Sequence, residues 1–304
     1  MRLPGAVIQF TSDPRVAPQL RGASGQLGYY GGTPYFFDRV WKPLRGRRGI
    51  TLPYDAGLVW AFNGDDIDAN GTQGAAYADG EILATWKHFG LSTINATQSS
   101  GYQKPSFSKY GIGGRGTVYF DGRYQRLQLA SSTAAWKSIY ATTGTGGGGT
   151  IFFVGSLMAT VAPAQYRYLL YQVASGTDRG ISVQVLDTDR LNFQIAGGGA
   201  SVALNWSPTF VLTRNQAFFG YFRHNGTTAY CSVNGAAEES QAITTGNLDS
   251  GAASATRDLY IGSTDSTHTN SWNGELAYLL MSSTNYGPAM LAQVTNELRE
   301  SFNL

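Results

Sequence analysis

Residues 64–71 read GDDIDANG, and within them Asp65, Asp66, Asp68 and Asn70 gather four oxygen-bearing side chains into six positions. That is chemistry for a hard divalent cation. Ca²⁺ takes about six to eight oxygen ligands, and D-x-D-x-N-G from Asp66 is how a helix–loop–helix calcium site opens. Counting Asp66 as position 1, position 12 is Tyr77, where such a loop needs a bidentate glutamate, and the preceding "LVWAFNG" reads as strand, not helix. An EF-hand is excluded. A looser calcium site at Asp65, Asp66, Asp68 and Asn70, with Asp79 as a further donor, stays open beside a plainer reading in which an acidic turn ends a strand in water.

Other reactive constellations are thin. His88, His224 and His268 stand far apart, with no H-E-x-x-H pair and a single thiol, Cys231, so zinc is disfavoured and each histidine reads as a turn or surface residue. There is no G-x-S-x-G elbow. Glycoside hydrolysis needs two carboxylates about 5–10 Å apart. The glutamates, at 81, 238, 239, 275, 297 and 300, form no E-x-D-x-E run that a strand could present. "TTGTGGGGT" (142–150) lacks the lysine and helix of a phosphate loop and reads as a flexible connection. No enzymatic activity is expected. Sugar binding asks for less: exposed rings to stack on, with amides or acids beside them. Tyr102, Phe107 and Tyr110 in "SSGYQKPSFSKYG" and His268, Asn270 and Trp272 in "HTNSWNG" are the candidates.

Such side chains must be held by strands. Of 304 residues only 14% are charged, while Gly (39), Tyr (18) and Phe (15) abound, a composition of strands and tight turns. Period-two runs recur: "ISVQVLD", "LNFQIAG", "GTVYFDG" and "AYCSVNG", the last ending in Asn234-Gly235, a type I′ hairpin signal. "GTIFFVGSL" and "ELAYLLM" read as strands buried on both faces. One helix is expected, opened by Pro288 and carrying Leu291, Val294, Leu298 and Phe302 as its apolar stripe. Its expected role is to pack against the sandwich.

Residues 1–54 differ. Six prolines interrupt them, and residues 1–50 hold eight basic against two acidic side chains, a net of +6, while the remaining 254 residues carry 14 basic and 18 acidic, a net of −4. They read as an extended arm with turns. Aromatic residues among the charges favour an anchor that buries rings and pairs arginines with an acidic partner. Its candidates are Arg21, Tyr29, Tyr30, Phe36, Phe37, Arg39, Trp41, Arg45, Arg47 and Arg48. Nucleic acid is the disfavoured partner, since "RGRRG" occurs once and the body is acidic. No stretch reaches the roughly 18 apolar residues of a membrane span. No secretory leader is read at the N-terminus, and a lone cysteine fits a reducing compartment.

From "GLVWAFNGDDIDANG" through "GEILATWKHFG" to "NATQSSGYQKPSFSKYGIGGRGTVYFDGRYQRLQL", the chain resembles the concanavalin-like, laminin-G-like jelly-roll domain. Trp60, Asp66, Trp86, Ala96, Gln98, Pro105, Gly111, Gly114 and Phe120-Asp121-Gly122 fall in that family's places, and the resemblance runs over residues 56–304. "WKHFG" departs from the acidic residue and Ser-Gly more usual there, which weakens the case for a metal at that turn. The resemblance implies an all-β jelly-roll sandwich over residues 55–304, with the arm before it and one C-terminal helix. It implies a non-enzymatic module. Without disulfides or a secretory leader, the bacteriophage virion is its expected setting: a capsid decoration, cement or fibre-base protein, made in the host cytoplasm, oligomeric, and bound to other virion proteins through the arm. The alternative is a carbohydrate-binding adhesin that recognises a host surface glycan.

Overall fold

Alternating strands need something to cover their apolar faces, and the order in which they pair settles which faces meet. The computed structural model describes residues 8–9, 27–30, 33–38, 40–43, 58–69, 77–89, 95–129, 139, 148–158, 166–172, 179–197, 202–245, 248, 258–264 and 270–304. The chain divides into two units, Met1–Thr51 and Leu52–Leu304.

In the first unit β1 (Ile8–Gln9), β2 (Leu27–Tyr30), β3 (Thr33–Asp38) and β4 (Val40–Pro43) form one sheet in that order. β1 runs parallel to β2 and the other pairs are antiparallel. The sequence suggested an arm without strand periodicity. Pairing arises instead from short hairpins: Tyr30 faces Thr33, with only Gly31-Gly32 between them in the sequence, a dipeptide suited to a two-residue turn.

The second unit runs β5 (Leu58–Asn63), β6 (Thr85–Trp86), β7 (Ala96–Thr97), β8 (Ser106–Ser108), β9 (Thr117–Asp121), β10 (Leu127–Leu129) and β11 (Gly149–Leu157). It continues with β12 (Tyr166–Tyr171), β13 (Arg179–Leu186), β14 (Leu191–Gly197), β15 (Leu204–Trp206), β16 (Ala217–His224) and β17 (Thr228–Val233). It closes with β18 (Glu239–Ala242), β19 (Leu259–Ile261), β20 (Asn273–Ser282) and the helix α1 (Pro288–Phe302). Every run singled out in the sequence is a strand. Asn234 and Gly235 sit at φ 53° and 76°, the two positive values a type I′ turn requires.

Two eight-stranded antiparallel sheets result. Sheet I has the order β15-β14-β13-β12-β19-β10-β7-β6; sheet II has the order β18-β17-β16-β11-β20-β9-β8, with β5 also on β20. The inner face of sheet I is an unbroken apolar row, Leu127, Ile261, Leu170, Val183, Phe193 and Trp206, all buried. It meets Ile151, Phe153, Phe222 and Leu279 of sheet II in one core, where the Phe193 and Phe222 rings stack at 4.7 Å.

Sheet II has a second covered face. Phe152, Tyr278 and Leu280 point away from that core yet are fully or almost fully buried. The helix stripe Leu291, Val294, Leu298 and Phe302 is buried as expected, and α1 contacts β16, with the Arg299 guanidinium 6.0 Å from the Phe219 ring. Four such side chains contribute about 1.5–3 kcal/mol each in hydrophobic burial. The layers are therefore sheet I, sheet II and helix, and the outer face of sheet I is the side that α1 does not cover.

Candidate functional site

The acidic turn belongs to the fold. Asp65 is fully buried. Its Oδ1 accepts a hydrogen bond from Gly116 N at 3.0 Å and its Oδ2 pairs with Arg115 Nη1 at 3.1 Å. Arg115 in turn donates from Nε to the carbonyl of Ser301, and its guanidinium lies 5.7 Å from the Phe302 ring. The last turn of α1 is thus pinned to the turn after β5. Gly64 is required there, because a Cβ on it would lie 2.8 Å from Gly116 O. Asp68 accepts from Tyr77 Oη at 3.2 Å and pairs with Lys87 Nζ at 3.4 Å. Asp65 and Asp68 thus direct their oxygens to different protein cations. Asn70 lies outside the described residues, and among those described no three His, Cys, Asp or Glu side chains gather as a metal site.

His224 departs from its reading as a turn or surface residue. His224 is fully buried, its Nδ1 accepting from Gly226 N at 3.2 Å, and burial holds its pKa down at about 4. His88 is partly buried, edge-on to Phe62 at 5.6 Å, with its pKa lowered by desolvation.

Of the sugar-binding candidates, Phe107 and Trp272 are fully buried and offer no ring face, since both belong to the sandwich core. His268 lies outside the described residues. Tyr110 is 71% exposed but precedes the 3-10 turn Ile112–Gly114, on the helix side of the molecule. Tyr102 is 69% exposed, and its ring meets Tyr124, 44% exposed, edge to face at 6.3 Å. The backbone carbonyl of Asn270 accepts from Tyr168 N at 3.3 Å. The anchoring side chains Arg21, Tyr29, Tyr30, Phe36, Phe37, Arg39, Trp41, Arg45, Arg47 and Arg48 lie outside what is described.

Tyr102 sits between β7 and β8, and Tyr124 between β9 and β10. Gln103 O accepts from Arg126 N at 2.9 Å, which ties the turn bearing Tyr102 to the chain entering β10. Arg126 stands 5.1 Å over the Tyr260 ring and donates from Nη1 to Thr264 O at 2.7 Å. Asp258 Oδ2 accepts from Gln128 Nε2 and from Tyr260 Oη. Exposed Tyr166 and half-buried Tyr168 follow on β12, beside Tyr171, which is buried, with successive ring centroids 6.5 and 4.8 Å apart. Strict alternation would put Tyr168 and Tyr171 on opposite faces; the irregularity between Tyr168 and Leu170 inserts Leu169 and returns both to the outside. The result is a shelf of rings bordered by a guanidinium, a carboxylate and an amide, groups that can stack on a sugar and exchange hydrogen bonds with hydroxyls.

Tyr124, Arg126, Gln128, Asp258 and Tyr260 escaped the sequence reading. The signal was present: in "RYQRLQL" and "DLYIG" these residues alternate with Leu127, Leu129, Leu259 and Ile261. Following the polar phase of the alternation, as well as the apolar one, would have found them.

No protein-family model matches the chain, and no curated protein matches it. Solved structures do. The binding domain of botulinum neurotoxin serotype D aligns at TM-score 0.52 and 10% identity over 80% of this chain and 51% of that one. A Trypanosoma rangeli sialidase in complex with sialic acid aligns at TM-score 0.51 and 10% identity over 90% of this chain and 44% of that one. The CBM40 of the Ruminococcus gnavus IT-sialidase, bound to α2,3 sialyllactose, aligns at TM-score 0.44 and 9% identity over 60% and 95%. This chain thus spans about half of the toxin domain and less than half of the trypanosomal sialidase. These chains lend the virion setting no support. What the likeness to the toxin and trypanosomal chains supports is the architecture, an antiparallel β-sandwich.

Proposed function

We propose that residues 52–304 form a non-catalytic carbohydrate-binding module whose glycan lies on the tyrosine shelf of sheet I, the adhesin alternative and not the virion-shell reading. The observation that carries this is the exposed, edge-to-face Tyr102–Tyr124 pair, tied through the Arg126 N–Gln103 O hydrogen bond to the Arg126–Tyr260–Asp258 cluster. Rings left largely in water, next to fixed donors and acceptors, are what sugar stacking uses and what core packing does not need. Asp258 spends Oδ2 on Gln128 and Tyr260, so it orients the shelf and leaves acid–base work to no evident pair there. The same architecture occurs in a toxin binding domain and in a sialidase bound to sialic acid, which agrees with a binding role.

A glycan array probed with the full chain is the direct test. Specific hits are expected, and for a hit glycan Tyr102→Ala and Tyr260→Ala should each weaken binding about tenfold, or about 1.4 kcal/mol. An array without hits, or unchanged affinity in both variants, would overturn the proposal.

A further inference from the structure

We infer that the glycan taken by the Tyr102–Tyr124 pair is acidic, its carboxylate or sulfate held by Arg123 and Lys104; this rests on the carbohydrate reading above. Charge is unevenly spread in the sandwich. Residues 102–126 hold five basic side chains (Lys104, Lys109, Arg115, Arg123 and Arg126) and one acidic (Asp121), a net of +4. Taken from the 14 basic and 18 acidic side chains of residues 51–304, that leaves 9 basic and 17 acidic, a net of −8. The segment bearing the two exposed rings is therefore the cationic part of an acidic body. A local excess of that sign raises the concentration of anions at the rings.

Two of these cations are uncommitted. Arg115, Arg167, Arg214 and Arg223 each pair with a carboxylate, and Arg126 donates to Thr264 O and lies over the Tyr260 ring. Arg123 is exposed and Lys104 half-buried, and neither side chain has a hydrogen bond or a carboxylate partner among the described residues. Their backbones are nonetheless fixed. Lys104 N donates to Gly101 O, closing the 3-10 turn Gly101–Gln103. Arg123 N donates to Asp121 Oδ1 at 2.9 Å, and Arg123 O accepts from Ser271 Oγ at 2.8 Å. Asp121, the one acid of the segment, thus engages the Arg123 backbone. The bond from Arg126 N to Gln103 O ties the two turns together where the rings meet, with Arg123 one residue before Tyr124 and Lys104 two after Tyr102. Rings alone serve any sugar. A guanidinium free of protein carboxylates adds a charge-assisted fork that fits a carboxylate or sulfate.

Calorimetry with the full chain on matched sugars tests this: oligogalacturonates against their methyl esters, κ-carrageenan against agarose oligosaccharides, and any acidic array hit against its neutral parent. In one pair the acidic member should bind more tightly by about tenfold or more. Its affinity should fall about fivefold or more between about 50 and 500 mM salt. The pair that responds tells carboxylate from sulfate. Arg123→Ala should remove most of the acidic preference, leave the neutral member's affinity and the melting temperature unchanged, and be partly rescued by Arg123→Lys. Lys104→Ala should act in the same sense, whereas Tyr102→Ala should weaken both members. Equal binding of neutral members, insensitive to salt, overturns the acidic ligand and leaves the shelf standing. Acidic binding unmoved by Arg123→Ala and Lys104→Ala places the anion on another basic segment, the leader included, and overturns the assignment. Binding by no sugar of the set overturns it as well, and with an empty array the carbohydrate reading falls too.

Discussion

His224 shows what burial does to a single side chain. Its imidazole is fully enclosed near the end of β16 and accepts a hydrogen bond through Nδ1, so it folds neutral, with a pKa of about 4 against an ordinary 6.5. Above pH 6.5 neither folded nor unfolded chain binds a proton here and the residue is silent. Between 6.5 and 4 the unfolded chain takes up a proton that the folded chain refuses, so stability falls as the pH falls, by about 3 kcal/mol over that window. His88, lowered in the same sense, adds to the slope. Thermal melts of the wild type and His224→Gln between pH 7 and 4 check this: the variant's melting temperature should decline less steeply. Parallel curves would mean that the ring does not stay neutral inside the fold.

At the scale of elements, the decisive object is the latch between α1 and the turn after β5. A 15-residue helix has little stability of its own and depends on docking. Besides its apolar stripe, α1 is held by Arg115, which reaches Ser301 O only because Asp65 fixes the guanidinium from the other side. Removing one member of a buried ion pair strands the other, so Asp65→Ala should cost about 3–5 kcal/mol. The chemical-denaturation midpoint should fall accordingly, and amide exchange along 288–302 should accelerate more than in β13 or β14. Uniform acceleration would place the loss outside the latch. The same elements show how much of the fold and of the site the sequence disclosed. Leu291, Val294, Leu298 and Phe302 announce the helix because one face of a 3.6-residue period must be apolar, and "ISVQVLD" or "LNFQIAG" announces a strand through its period of two. Asp65 could not be placed this way, for its partner is 50 residues distant and its role exists only once β5 and β9 have both paired with β20. Phe107 and Trp272 misled for a related reason: a ring between polar neighbours looks exposed until the strand phase says which way it points. The shelf needed more still, since register across β10, β19 and β12 and a one-residue irregularity at Leu169 set which tyrosines share a face.

The whole molecule is two units of unlike charge, and the partition of labour follows from where each finds its stability. The sandwich has its own continuous core and its own helix latch. The leader concentrates +6 in its first 50 residues and belongs to a 51-residue unit. A unit of that size buries little apolar surface by itself, which is why a partner surface for it is an attractive proposal. Residues 52–304 produced alone should therefore unfold cooperatively, with a melting temperature within a few degrees of the full chain's, and should bind whatever glycan the full chain binds with affinity unchanged within twofold. Attachment to a larger assembly or to an acidic surface should be the property lost, and co-sedimentation of both forms with such a surface would measure it. If the truncated chain instead melts early or loses its glycan, the leader is part of the sandwich's working structure, and the division of the chain into an anchor and a binding module fails.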